Sequence, residues 1–163
     1  MSDTLANDIR AQYDKSFATL RGIAEAFPDD KWLKVHGEDE FYLPSRIAYH
    51  LVTYLDRHMT DGFKDKEFDN KCPYGNWRNG TAETLPDKNA FLAYFDEVTG
   101  RAKKTLETLK DENLSAPIDP ERAYWGASQM GVHLYMMREF AAHSGELNKM
   151  LIDDGQQDVW VIR

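Results

Sequence analysis

The sequence predicts an all-α protein, a bundle of four long helices, and three observations lead to this prediction. Apolar residues recur every three or four positions in four long segments, which is the spacing that gives an α-helix one buried face. No segment of any length alternates apolar and polar residues as a β-strand does, and the chain has no internal repeat. Its 163 residues suffice for one sizeable core, so we expect residues 1–163 to form a single domain.

The first two predicted helices span residues 4–27 and 44–60. The first ends before Pro28, because proline lacks a backbone donor and disfavours the helical conformation in the residue before it. The second begins near Pro44 and contains His50. Their apolar stripes consist of Leu5, Ile9, Tyr13, Phe17, Leu20, Ile23, Ala24 and Phe27, and of Ile47, Leu51, Tyr54, Leu55 and Met59.

The third and fourth predicted helices span residues 88–110 and 129–152, with Asp87 as the expected N-cap of the third. Their stripes consist of Phe91, Tyr94, Phe95, Val98, Ala102, Leu106 and Leu109, and of Leu134, Met137, Ala141, Leu147 and Leu151. Residues 60–86 lack this periodicity, and so long a connection is usually functional or part of an interface. Residues 159–162 are expected to form a short packed extension.

Composition and charge exclude several classes of partner. The net charge of −8 argues against binding to nucleic acid or to an anionic membrane surface, both of which need clustered lysine and arginine. No basic region followed by an apolar core opens the chain, and no apolar run approaches the ~20 residues that span a bilayer, so we expect a soluble, cytoplasmic protein. The single cysteine, Cys72, excludes an intramolecular disulfide and has no evident neighbour to activate it as a nucleophile.

Glu139 and His143 form a candidate metal-ligand pair near the end of the fourth predicted helix. Residues four apart on a helix lie about 40° apart around the axis and ~6 Å along it, so both side chains can reach one ion. His50 is the best candidate for a third ligand, since it lies at the margin of the apolar stripe on the second helix. Two imidazoles and one carboxylate leave coordination positions open for water or substrate.

A structural interpretation stays open beside this metal site. A lone histidine on an apolar helix is more often a hydrogen-bonded structural residue than a ligand, and a Glu/His pair at this spacing arises by chance on many helices. Gly145 favours function, because a glycine inside a helix costs about 1 kcal/mol relative to alanine and so indicates a close backbone approach. His58 is interpreted as a core residue, and His133 lies too far round the last helix to share the ion. His36 lies in an acidic turn.

Several segments resemble the DinB-like family of four-helix proteins, and together they cover most of the chain. Residues 45–52, Ser-Arg-Ile-Ala-Tyr-His-Leu-Val, are similar to that family's second helix with its ligand histidine. Residues 89–98 and 109–114 are similar to its third helix and the turn beyond. Residues 139–147, Glu-Phe-Ala-Ala-His-Ser-Gly-Glu-Leu, resemble its closing His-x-x-x-His-x-Gly-Gln-Leu motif.

The resemblance implies an up-up-down-down bundle, commonly a homodimer, with a divalent ion held by one histidine from the second helix and two from the fourth. Glu139 stands where the first histidine of the last pair is expected. A carboxylate can ligate zinc, nickel, manganese or iron, so His50, Glu139 and His143 would form a two-His, one-carboxylate variant of the site. A lost site is the alternative. Glu146, where glutamine is usual, adds a negative charge nearby.

Two classes of function follow. In the first, the chain is a metal-dependent enzyme, either a hydrolase or a transferase of a small thiol, because a bound ion lowers the pKa of a water or a thiol. The resemblance favours thiol transfer, with a small-molecule substrate, a low-molecular-weight thiol and Tyr54 as a candidate acid or hydrogen-bond donor. In the second, the chain is a non-catalytic dimeric or small-ligand-binding bundle with a degenerate metal site.

Overall fold

Four long helices make up most of the computed structural model, which describes residues 3–60, 64–119 and 126–160. They are α1 (Thr4–Ala26), α3 (Pro44–Met59), α5 (Lys88–Glu107) and α7 (Gln129–Asp153). Shorter elements lie in the connections: α2 (Asp29–Trp32), α4 (Phe68–Lys71), α6 (Asp111–Leu114) and the 3₁₀ turn Trp77–Asn79. The part of the chain that the structure describes has no strand, only an isolated bridge between Pro117 and Ser128. The all-α prediction is therefore confirmed.

The predicted helix bounds agree closely with the structure. The largest difference is at the end of the third long helix, which was expected to reach residue 110 and ends at Glu107. Asp87 is the N-cap of α5, since its side chain accepts a hydrogen bond from the Ala90 N–H at 2.8 Å. Residues 60–86 are not only a loop, because they contain α4 and the 3₁₀ turn.

Contacts of α1 show the directions of its two neighbours. Arg10, near the start of α1, donates to the carbonyl oxygen of Leu106 at the end of α5 at 2.9 Å, so these helices are antiparallel. Tyr13, also in the first half of α1, lies with its hydroxyl 3.1 Å from Nδ1 of His133, near the start of α7. The first and last long helices are therefore parallel neighbours.

Contacts of α3 complete the arrangement and correct one expectation. The His58 ring, at the end of α3, stacks on Tyr135 near the start of α7, and the Thr105 hydroxyl near the end of α5 donates to the Met59 carbonyl oxygen at the end of α3. The helices thus run up-down-down-up, and the implied up-up-down-down order is wrong. The physical reason is the long connection 60–87, which returns the chain to the end where α3 began and so makes α3 and α5 parallel.

The apolar stripes of the four long helices meet in one core, and α3 is its most buried element. Twelve of the sixteen residues of α3 are buried, because the 3₁₀ turn covers a side of the helix that α5 and α7 leave open. His50 lies where that side meets α7, since its ring contacts both Trp77 and His143. A position that the sequence places at the margin of the stripe is therefore only 7% exposed.

The tail after α7 packs back onto the bundle at Val159. Its N–H donates to the Asn148 side-chain oxygen at 2.7 Å, and its side chain lies against Gly22 of α1, where a Cβ would approach Val159 to 2.9 Å. Glycine at this position leaves the room that the tail needs. The packed extension is thus seen at Val159, whereas Trp160 is 46% exposed and residues 161–162 lie outside the described residues.

Candidate metal centre

The three predicted ligands, His50 on α3 and Glu139 and His143 on α7, lie together in the structure. Each offers one ligand atom, and these atoms all lie within 4.8 Å of one another. Oε2 of Glu139 is 3.9 Å from Nε2 of His50 and 3.5 Å from Nε2 of His143. The antiparallel packing of α3 on α7 produces this convergence. It places the middle turn of α3, which carries His50, beside the middle turns of α7, which carry Glu139 and His143. The structure thus brings together the residues that the sequence selected.

His50 is held uncharged by its surroundings. Its ring packs on Trp77 with ring centroids 4.0 Å apart and on Tyr54 at 4.9 Å. Burial lowers the pKa of His50 to about 3, and the electrostatic influence of His143 and Arg78 lowers it further. Neutral imidazole is the form that coordinates a metal, so at neutral pH this ring is ready to act as a ligand. Its Nδ1 is buried and has no hydrogen-bond partner among the described residues.

Glu139 lies between the two imidazoles with its side chain only 17% exposed. Apart from these two histidines, the one basic side chain beside it in the described part of the chain is Arg138, whose Nη2 is 3.2 Å from Oε1 and which is itself 70% exposed. A largely covered carboxylate that faces two ring nitrogens is better balanced by a cation than by neutral imidazole. Two nitrogens and one oxygen form a donor set that fits zinc, nickel, manganese or iron.

Glu146 orients His143. Its Oε2 lies 2.7 Å from His143 Nδ1, one turn further along α7. Because an ionised carboxylate only accepts hydrogen bonds, Nδ1 carries a proton, which leaves Nε2, on the Glu139 side, as the ring nitrogen available to a metal. Metal-binding histidines commonly have such a carboxylate behind them, which fixes the ring and raises its basicity. The sequence showed Glu146 only as an added negative charge, although its spacing of three from His143 was the signal for this contact.

The segment between α3 and α5 supplies one wall of the centre. Trp77 lies against His50, and the Arg78 guanidinium packs over the Trp77 ring at 4.5 Å. Arg78 in turn pairs with the buried Asp69 at 2.8 Å, and Asp69 lies 3.6 Å from Arg57 of α3. These ion pairs hold the segment on α3. Trp77 therefore lines the site.

Two tyrosines adjoin the donors. Tyr54, the predicted acid or hydrogen-bond donor, lies one turn after His50 and contacts both His50 and His58. Tyr135, which sequence reasoning missed, lies 6.3 Å from Tyr54 between ring centroids. Burial raises the pKa of Tyr135, and Tyr54 and the charge of Glu139 raise it further, so its hydroxyl stays protonated at neutral pH. Its position four residues before Glu139 on α7 was the available signal.

The remaining sequence candidates lie elsewhere. His36 contacts Asp153 at 3.4 Å, and burial raises the pKa of the Cys72 thiol to about 11, which agrees with its expected lack of reactivity. Gly145 does not have the close backbone approach that was expected, because a Cβ there would meet nothing within 4 Å. Such an approach exists instead at Gly126, where a Cβ would lie 2.7 Å from the Cα of Gly131.

A four-helix bundle with a two-His, one-carboxylate donor cluster between its second and fourth long helices defines the class of this protein. Comparison with known families agrees, since residues 12–146 match the family model of the DinB superfamily. The chain belongs to the DinB superfamily. No curated protein and no solved structure matches it. None of the helices in the described ranges combines the length and the apolar character that crossing a membrane requires.

Proposed function

We propose that this chain is a divalent-metal-dependent enzyme in which His50, Glu139 and His143 bind the ion. The observation that carries the proposal is the convergence of three donor atoms of suitable chemistry within 4.8 Å. The carboxylate of Glu146 behind His143 and the uncharged state of His50 support it, because both favour coordination through the ring nitrogens. Membership of a superfamily that is generally associated with metals adds to this support.

A divalent ion on three protein ligands supplies an acidic position for a water or a small thiol. The proposed reaction is therefore hydrolysis, or transfer of a low-molecular-weight thiol onto a small electrophilic substrate. Tyr54, beside His50, donates a hydrogen bond to the reacting group, and Trp77 excludes water from the His50 side. Tyr135 supports Tyr54 from α7. We also propose that the protein is cytoplasmic and, from the family resemblance, that it acts as a homodimer.

Metal titration of protein purified without an affinity tag tests the ligand set. Wild type should bind about one zinc or nickel ion per chain. Glu139→Ala should bind at least about tenfold more weakly, because one of three donors is lost, whereas Glu139→His should bind as tightly or more tightly. Glu97→Ala, which removes an exposed carboxylate on α5, is the matched control. Equal affinity in all four proteins would overturn the ligand assignment.

Turnover by the metal-loaded protein tests the catalytic half. An activated ester reports hydrolysis, and a small thiol with an aryl chloride reports thiol transfer. Tyr54→Phe should lower kcat by about 100-fold at unchanged metal affinity, as expected for loss of a positioned acid. Stoichiometric metal binding without metal-dependent turnover of either substrate class would contradict the catalytic part of the proposal.

A further inference from the structure

A cavity of about 330 Å³ lies at one end of the bundle, away from the metal centre. The described residues that line it belong mostly to α1, α6, the last turns of α3 and α5 and the first turns of α7. His58 in its wall lies two turns beyond His50, about 12 Å along α3, with the Tyr54 ring between them. His133 lies six residues before Glu139, about 9 Å along α7. The cavity and the donor cluster are therefore separate spaces.

Among the described residues, the wall of the cavity contains polar groups but no formal charge. The polar side chains are those of Tyr13, His58, His133, Asn113 and Gln129 with two threonines, and none of the described lining residues is an aspartate, glutamate, lysine or arginine. The lack of charged side chains among these lining residues contrasts with the whole sequence, of which 29% is aspartate, glutamate, lysine or arginine. A charged ligand would lose its hydration here without gaining a counter-charge, which is costly, whereas a neutral ligand would not.

One end of the cavity offers a fixed hydrogen-bonding group. Tyr13 is 1% exposed, and its hydroxyl lies 3.1 Å from Nδ1 of His133. A phenol oxygen has both donor and acceptor capacity, so the hydroxyl can serve His133 and one ligand group together. The other walls include Met59 and Met136, whose flexible side chains adapt to flat, apolar molecules.

We propose that this cavity is a second ligand site, for a neutral molecule with an apolar body of about two fused rings and one hydroxyl group. Its volume is roughly twice the ~150 Å³ of a cavity that admits benzene, and it falls within the usual size of small-molecule sites. The hydroxyl pairs with Tyr13, and the rings pack between the two methionines. This proposal does not depend on metal binding or on catalysis.

The probe is 2-naphthol, with 2-naphthoate as a charged molecule of nearly the same shape. Calorimetric titration at pH 7 should give a dissociation constant below about 1 mM for 2-naphthol and at least tenfold weaker binding of 2-naphthoate. In protein labelled with ¹³C at the methionine methyl groups, 2-naphthol should shift the signals of Met59 and Met136. Met150, which is buried and does not line the cavity, should not shift.

Variants locate the site. Val132→Phe, which fills the cavity from α7, should abolish 2-naphthol binding, and Tyr13→Phe should weaken it about fivefold while leaving the fold intact. Glu139→Ala should bind 2-naphthol as wild type does, even where metal binding is lost. Failure of folded wild type to bind 2-naphthol at millimolar concentration would overturn the proposal. So would equal binding of 2-naphthoate, or shifts at Met150 without shifts at Met59 and Met136.

Discussion

The metal-donor cluster and the end cavity use the same pair of helices, α3 and α7, and each contains two histidines. In the cluster, His50 and His143 adjoin two carboxylates, Glu139 and Glu146, and the side chain of His143 is 23% exposed. Among the described residues that line the cavity, the histidines adjoin a phenol, amides and methionines and no charged side chain. The comparison teaches that a helical histidine is best interpreted by the side chains that share its cavity or cluster, because the charges of these side chains decide whether a cation or a neutral molecule is the better occupant.

Lowering the pH should reduce the free energy of unfolding, because His50 is buried in its uncharged form. Its pKa in the folded protein is about 3, below its ordinary value of 6.5, so the unfolded chain binds a proton that the folded chain does not. Stability contributed by neutral His50 is present above pH 6.5 and is lost as pH falls toward 3. Between pH 7 and pH 5 the metal-free wild type should lose about 2 kcal/mol more than His50→Asn, measured by urea unfolding. Parallel losses in both proteins would contradict the buried, neutral ring.

Substitution of Glu146 should weaken metal binding and leave the binding of 2-naphthol in the cavity unchanged. Glu146→Leu removes the acceptor behind His143 and should weaken metal binding by about tenfold, the lower limit for such outer contacts. Glu146→Gln keeps an oxygen acceptor and should lose much less. Nitrogen chemical shifts of the His143 ring should show a mixture of tautomers in the leucine variant only. Binding of 2-naphthol should be the same in all three proteins, and a parallel loss would show that the two regions are coupled.

Substitution of Gly145 by alanine should give the smallest effect, a modest change in folding stability. The structure leaves open space where its Cβ would lie, so Gly145→Ala should stabilise α7 by up to about 1 kcal/mol through helix propensity. Gly100→Ala on α5, which also has open space, is the matched control. Thermal unfolding of both variants without metal gives the comparison. A clear destabilisation confined to Gly145→Ala would contradict this expectation and would support the close backbone approach that the sequence indicated.

The sequence predicts the helices well because each long helix has a continuous apolar stripe, and such a stripe specifies both the element and its buried face. It also predicts that His50, Glu139 and His143 lie close together, since two of them share a helix face and the third is marked by a family motif. The direction of each helix could not be predicted from the stripes, because a stripe is the same in both directions. The up-down-down-up order depends on which connection is long enough to join parallel helices, and this is seen only once the helices are packed.

Trp77 at the metal centre and the end cavity both depend on contacts between residues distant in sequence. Neither feature can therefore be recognised from the spacing of apolar residues. Trp77 reaches His50 because the ion pairs of Asp69 hold an irregular segment on α3. The end cavity is formed by residues from five helices, from Tyr13 to Met136, and its existence depends on the volume that their side chains leave unfilled. Sequence spacing carries no information on that volume.

The contact of Val159 with α1 has a mechanical consequence. The first and last long helices are neighbours without a connection of their own, and the tail is the segment that crosses from α7 to α1. Force applied at residue 160 would therefore act first on the hydrogen bond from Val159 to Asn148 and on the packing of Val159 against Gly22. The contacts between α1 and α7 would therefore be strained before the turns of α7 unwind. The donor cluster lies on the side of α7 that faces α3, so this force would not act on it directly.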